Sequence, residues 1–362
     1  MKLTHLPALV LVVTAVVSAG TLAEGASPVT RDITFFVLSD VHIGAENLKA
    51  QPPVTRQDTL VRAQANLAAL RALVGRPYPD TAAFAPLRLG AVAVPRGLFI
   101  LGDLTDGHKD PTQQEEQWRC FDTLYPAFGL EFSGQNVPVF AMAGNHDGDV
   151  AGPQRQGLVR RNRALESAGA LAAISTNGVH VALNWEGVHL VCLNLCPADR
   201  TDGETPFKYG RPGPGSWNDP QGAYTFLRDY LVRNVGSSQA PVFILQHYGF
   251  DGFSLNDWNW WTPRQRRALY QLLEDYNIAA FFHGHNHHAE HYRWPDPKRH
   301  AADLESLFEG QPPPHHRQYD VLSWGGLAWV IRIRGDTLIA AHLGGPDWTG
   351  DPARLWVKSL KR

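Results

Sequence analysis

Five short polar blocks run through the 362-residue chain in order: Asp40-Val41-His42, Gly102-Asp103-Leu104-Thr105-Asp106-Gly107, Gly144-Asn145-His146-Asp147, Gln246-His247 and Gly284-His285-Asn286-His287. Together they supply carboxylates, one carboxamide and imidazoles, a donor set that suits a pair of hard-to-borderline metal ions. Two cations a few ångström apart need a shared anionic ligand to offset their repulsion. They also leave open positions where a bridging water ionises near neutral pH, the nucleophile for a phosphate ester. Asp103 is the candidate for the shared carboxylate. Asn145 adds an oxygen without further negative charge, which keeps the site attractive to a phosphate dianion. Asp40 and His42 are two residues apart, as are His285 and His287, so an extended chain would turn each pair to one side. Gly102 and Gly144 precede Asp103 and Asn145 and let the backbone turn there. Asp147 either supports its block or shares in the chemistry. His283, His288 and His291 crowd the last block as loop polarity or outer support.

Each block follows an apolar run of strand length: Ile33 to Ser39, Gly97 to Leu101, Val137 to Ala143, Val242 to Gln246 and Ile278 to Phe282. Strand ends are where open α/β sheets place their ligands. Between the strands the spacing predicts helices over Gln57 to Val74, Glu115 to Tyr125 and Arg155 to Ser167. Asp219-Pro220 reads as an N-cap with Pro at the first helical position, its helix running to about Asn234. Thr262-Pro263-Arg264-Gln265 reads as a capping box opening a helix to about Tyr276. Val179 to Asn184 and Val188 to Leu195 form a hairpin. Tyr319 to Ser323, Leu327 to Arg334 and Thr337 to His342 close the chain as strands. The expected architecture is a single mixed α/β domain over 31–345 with helices outside packed sheets, and 346–362 as a C-terminal tail. Stretches 201–217 and 295–317 read as long loops.

The N-terminus reads as a secretory signal over 1–23: Lys2, an apolar run from Leu6 to Val17, then Ser18, Ala19, Gly20 and Ala23. The run is short for a membrane span, so cleavage after Ala19 or Ala23 and release outside the cytoplasm, periplasmic or extracellular, is the expectation. With 44% hydrophobic residues and 11 Trp the chain can bury a sizeable core. A formal charge of -2 gives no electrostatic case for nucleic acid or an anionic membrane. Three cysteines leave at least one unpaired, and on an extended strand Cys192 and Cys196 would lie about 13 Å apart, so no structural disulfide is expected.

In these blocks, taken in this order, the chain resembles the calcineurin-like metallophosphoesterases. The resemblance spans Asp40 to His287 and implies a four-layer αββα sandwich of two mixed β-sheets flanked by helices. It implies two divalent or trivalent metal ions (Mn, Fe or Zn), the first bound by Asp40, His42, Asp103 and His287, the second by Asp103, Asn145, His247 and His285. His146 would assist the leaving oxygen, oriented and charge-supported by Asp106. Purple acid phosphatases of this family place a Tyr where this chain has Asp106, and serine/threonine protein phosphatases follow the corresponding Asp with Arg-Gly where this chain has Gly107-His108. Both departures narrow the resemblance.

The expected activity is hydrolysis of a small phosphate ester, mono- or diester, by an exported enzyme. Alternatives are a binding protein that keeps the fold without catalysis, and an exported nuclease. Tyr248, Phe250 and Trp258 either pack in the core or face a sugar, inositol, nucleoside or lipid-headgroup moiety, and Trp261 reads as packing.

Overall fold

The residues of β1 (Asp32–Leu38) set the layering. Ile33, Phe35 and Val37 enter one apolar cluster, while Phe36 and Leu38 enter another. A strand apolar on both faces belongs in the middle of a layered domain. The computed structural model describes residues 31–107, 110–199, 219–251, 261–308, 315–345, 348 and 355–361. The expected signal segment 1–23, the 201–217 stretch and Trp258 lie outside them.

The first sheet joins β1 in parallel to β2 (Leu98–Ile100), and β2 in parallel to β5 (Val139–Ala141). On its other side β1 pairs antiparallel with β13 (Ala328–Arg334), then β14 (Thr337–Leu343) and β15 (Leu355–Ser359). β3 (Leu130–Phe132) and β4 (Gln135–Val137) make a separate hairpin. In the second sheet β8 (Val188–Cys192), β9 (Val242–Leu245), β10 (Ile278–His283) and β12 (Tyr319–Ser323) run parallel. Antiparallel strands β7 (Val181–Trp185), β6 (Ala173–Ile174) and β11 (Glu290–Trp294) complete it.

Phe35 sits between the sheets, its ring 5.5 Å from Phe99, 6.3 Å from Phe243 and 6.4 Å from Phe282. The outer face of the first sheet is covered by α1 (Arg56–Leu73) and α2 (Pro111–Leu124), through Leu67, Leu70 and Phe121. The outer face of the second is covered by α4 (Ala223–Tyr230), α5 (Pro263–Leu273) and α6 (Ala301–Phe308), through Leu227, Leu269 and Leu307. The result is the expected four-layer sandwich. Among the described residues no helix is long and apolar enough to cross a membrane, and none of the three cysteines is in a disulfide.

Some local expectations need correction. The Asp219 carboxylate accepts the N–H of Gln221 at 2.8 Å, making a turn instead of a cap. The chain then passes through left-handed Gln221 and Gly222, and α4 begins at Ala223. The 295–317 stretch contains α6, because Asp303 is drawn into the core by Arg266 (Nε to Oδ1, 2.8 Å) and the Trp294 indole (2.7 Å). That anchor is polar and long-range, so apolar periodicity does not reveal it. The expected tail contributes β15 as an edge strand of the first sheet.

Asp320 of β12 fastens that edge strand to the second sheet. Its carboxylate meets Lys358 Nζ of β15 at 2.6 Å and His291 Nε2 of β11 at 3.0 Å. Burial raises its pKa, but His291 and Lys358 outweigh burial and hold it below the ordinary value. A carboxylate with a lower pKa in the folded state stabilises fully above its unfolded value and loses that contribution as pH falls through the folded one. Asp320→Asn is expected to cost about 1–2 kcal/mol at neutral pH, between exposed-pair and buried-pair limits. The gap to the parent should close as pH falls below about 4. Urea unfolding across that range checks it, and a gap independent of pH would contradict it.

Candidate metal centre

The C-terminal ends of β1, β2, β5, β9 and β10 open onto one edge of the sandwich, and all nine expected site residues meet there. The loops that carry them are stitched together by backbone bonds. Asp40 N donates to Gly102 O at 3.0 Å, His42 N to Asp103 O at 2.9 Å and Ile43 N to Leu104 O at 3.1 Å. His285 N donates to Asp40 Oδ2 at 2.9 Å, and His146 N to Asp103 Oδ1 at 2.9 Å, so two of the carboxylates also anchor backbone.

The backbone is not extended where the side chains converge, as the spacing of Asp40 with His42 and of His285 with His287 had led us to expect. Asp40, His42, Asp103, His285 and His287 all have positive φ, between 44° and 69°. Left-handed turns are costly for residues with a Cβ and collect where surrounding structure over-determines them. Here they let each chain turn sharply off its strand and aim a side chain inward. Gly102 has φ 102°, as expected of a turn glycine. Gly144 is needed for space: a Cβ there would collide with the backbone nitrogen and a carboxylate oxygen of Asp103.

Asp103, 1% exposed, is the centre of the arrangement. Its Oδ2 lies 3.5 Å from His42 Nε2 and its Oδ1 3.3 Å from His247 Nε2. His287 Nε2 lies 3.1 Å from Asp40 Oδ1 and 3.3 Å from His42 Nε2. His247 Nε2 lies 3.0 Å from Asn145 Oδ1, while its Nδ1 is held by Leu101 O at 2.8 Å. That backbone bond fixes the ring and turns Nε2 toward the centre. Asp106 serves two rings: its Oδ1 is 3.2 Å from His146 Nδ1 and 3.3 Å from His42 Nδ1.

From the protein groups alone, burial would raise the Asp103 pKa, but His247, His146 and His42 hold it well below the ordinary value. Burial opposes the imidazolium at His146, and Asp103 with Asp106 outweighs it, raising the pKa to about 10. Burial raises and the two histidines lower the carboxyl of Asp106, leaving it at about 2. Carboxylates and imidazoles here favour one another's charged forms, so a cation entering among them would displace protons from the rings.

Donor atoms of Asp40, His42 and His287 lie within 4.8 Å of one another, as do those of His42, Asp103 and His146, and of Asp103, His247 and His285. Asp103 belongs to two of these groups. Carboxylate oxygen and imidazole nitrogen in such groups fit two adjacent divalent ions. His146 also falls within one group, so distance alone does not set it apart. Its side chain is 27% exposed and its Nδ1 faces Asp106.

The neighbours of the blocks take structural places. The buried Asp147 carboxylate accepts N–H bonds from Gly144 (2.8 Å), Thr105 (2.9 Å) and Leu104 (3.1 Å), tying two loops together. Arg155, buried on α3 (Pro153–Ser167), donates to Gly144 O at 2.9 Å and Asn194 Oδ1 at 2.6 Å. Nothing in the sequence around Arg155 signalled this. His283 is buried and bonded to Gly284 O and Tyr292 Oη. Phe250 stacks on Trp294 at 4.1 Å, and Trp261 donates to Gly249 O at 2.9 Å, so both are packing residues. Tyr248 is buried with its ring 4.8 Å from that of His285.

Comparison with known proteins agrees with this geometry. A sequence profile described as calcineurin-like phosphoesterase matches residues 33–289. Comparison with curated proteins found no match. Among solved structures, a dimetal phosphatase from Danio rerio superposes with a TM-score of 0.52 at 13% identity, over 91% of this chain and 99% of that one. A purple acid phosphatase from yellow lupin (Lupinus luteus) seeds superposes with a TM-score of 0.51 at 12% identity, over 92% of this chain and 55% of that one. At these identities the likeness is one of fold.

Asp147→Ala would strand the backbone N–H groups of Leu104, Thr105 and Gly144, all three buried, around the loop pair. We expect a loss of about 2–4 kcal/mol, within the range for orphaned buried donors. Denaturant unfolding measures it, and a loss below about 0.5 kcal/mol would remove Asp147 from this role.

Proposed function

The chain belongs to the calcineurin-like phosphoesterase family, and we propose that it is an exported hydrolase of small phosphate esters working with two bound cations. The observation that carries the reading is a single buried carboxylate, Asp103, whose two oxygens face His42 on one side and His247 on the other. Asp40, His42, Asp103 and His287 would hold one ion, and Asp103, Asn145, His247 and His285 the other. Bound there, the cations would polarise phosphoryl oxygens and lower the pKa of a water. His146, partly exposed beside the donors, would hand a proton to the departing oxygen. Asp106 would hold the His146 ring at Nδ1 so that the opposite nitrogen faces the substrate.

Export rests on the Lys2, Leu6 to Val17 and Ala19 to Ala23 pattern. Against a non-catalytic binding protein stands the complete donor set together with His146. Against a nuclease stands the formal charge of -2, without the basic balance that a polyanion rewards.

Chelation should abolish turnover of p-nitrophenyl phosphate or bis-p-nitrophenyl phosphate, and Mn, Fe, Zn or Co should restore it. The better of the two substrates assigns monoester or diester preference. Asp103→Asn should lower turnover by on the order of 100-fold or more and reduce bound metal, because even residues behind the ligands cost about 10–100-fold. If neither Asp103→Asn nor Asn145→Ala alters metal content or rate, the assignment fails. For export, the mature protein should be recovered outside the cytoplasm with an N-terminus following Ala19 or Ala23. Recovery only as an uncleaved cytoplasmic chain would overturn it.

A further inference from the structure

A cavity of about 260 Å³ opens beside Asp40, His42 and His287 and extends to α1, where Arg62 and Asn66 line it. Leu38, Ala63, Trp324 and Leu327 give it an apolar wall. That wall is braced. The Trp324 indole donates to Leu327 O at 3.2 Å, and its ring meets His287 edge-on at 6.2 Å. Arg62 and Asn66 are one helical turn apart, so guanidinium and carboxamide project from one side of α1.

Arg62 is exposed, unlike the buried arginines of this molecule. Arg155, Arg161, Arg266, Arg299 and Arg332 are all committed to carboxylates, carboxamides or carbonyls. Among the described residues no hydrogen bond or ion pair engages Arg62 or Asn66. Asp40 also lines the cavity, but its side chain is 0% exposed and turned to His287 and the His285 backbone. The free charge presented to a ligand on the α1 side is therefore that of Arg62.

A permanently charged, planar fork beside a phosphate-ester site matches a second anion. The cavity is just below the ~300 Å³ at which sites for drug-sized ligands begin, a size that suits a compact anion. As a phosphorus–oxygen bond breaks, charge collects on the departing oxygen, and a fixed cation there helps most when the departing group is itself a phosphate.

We propose that Arg62, assisted by Asn66, forms a subsite for a second phosphate, and that the preferred substrates are phosphoanhydrides whose departing phosphate occupies it. The proposal rests on the phosphoesterase reading above. In the reaction, water oxygen bonds to one phosphorus and the bond from that phosphorus to the bridging oxygen breaks, leaving its electron pair on the departing phosphate. One water proton stays on the attacking oxygen and the other passes to the departing phosphate.

The test compares Arg62→Gln with the parent, both loaded with metal. Calorimetry measures methylene bisphosphonate, phosphonoacetate and inorganic phosphate. Kinetics compares inorganic pyrophosphate with p-nitrophenyl phosphate. The expected result is a fall of about tenfold or more in bisphosphonate affinity relative to phosphate. The kcat/KM ratio of pyrophosphate to p-nitrophenyl phosphate should fall similarly, with partial recovery in Arg62→Lys. Unchanged ratios overturn the subsite, and Arg62 dependence confined to phosphonoacetate replaces the second phosphate by a carboxylate. If the parent turns over no ester, the phosphoesterase reading fails, while the bisphosphonate-to-phosphate affinity ratio still decides whether Arg62 binds a second phosphate.

Discussion

The constraint on which this molecule turns is the burial of Asp103. A carboxylate at 1% exposure is costly unless cations or donors surround it. The chain answers with His42 from one loop, His247 from another and the His146 backbone from a third. Those partners lie far apart in sequence and belong to both sheets. Satisfying one charge therefore requires the strand ends of both sheets to close on the same point. The strained left-handed turns at Asp40, Asp103 and His285 follow from this, since no relaxed extended path off a strand brings so many side chains to one centre.

Support for that strain lies just outside the donor residues. Asp147 collects N–H groups from the loops after β2 and β5, and Arg155 takes the carbonyl on the far side of Gly144. His247 is set by a carbonyl of the neighbouring sheet, Leu101 O. Each of these bonds crosses between elements, so site geometry and sheet packing are one structure. A change in the position of β2 would be felt at both donor groups at once.

The polar blocks and the strands before them were readable because glycine, carboxylate and imidazole sit directly after apolar runs, and local pattern is what a sequence displays. Helices outside packed sheets were readable from apolar strands alternating with amphipathic helices, whereas the four αββα layers followed from the family resemblance. What escaped was set by long-range polar contacts. α6 is held by Asp303 against Arg266, and β15 by Lys358 against Asp320. Contacts of this kind leave no local pattern to find, and the apolar positions of α6, Leu304, Leu307 and Phe308, span only one turn. Asp219 resembled a helix cap because the same carboxylate chemistry serves a turn. Arg155 and Arg62 looked alike in sequence, and only burial and partners separate the brace from the uncommitted charge.

Asp106 binds these strands of argument together. One of its oxygens faces Nδ1 of both His42 and His146, a donor residue and the proposed proton donor. With Nδ1 of His42 facing Asp106, the Nε2 of that ring is directed at Asp103 and His287. The two rings meet edge-to-face at 4.7 Å, so neither can rotate without displacing the other. A carboxylate at this position serves two imidazoles from one atom. Orientation of His42 and placement of His146 are thus one constraint, imposed by a single side chain.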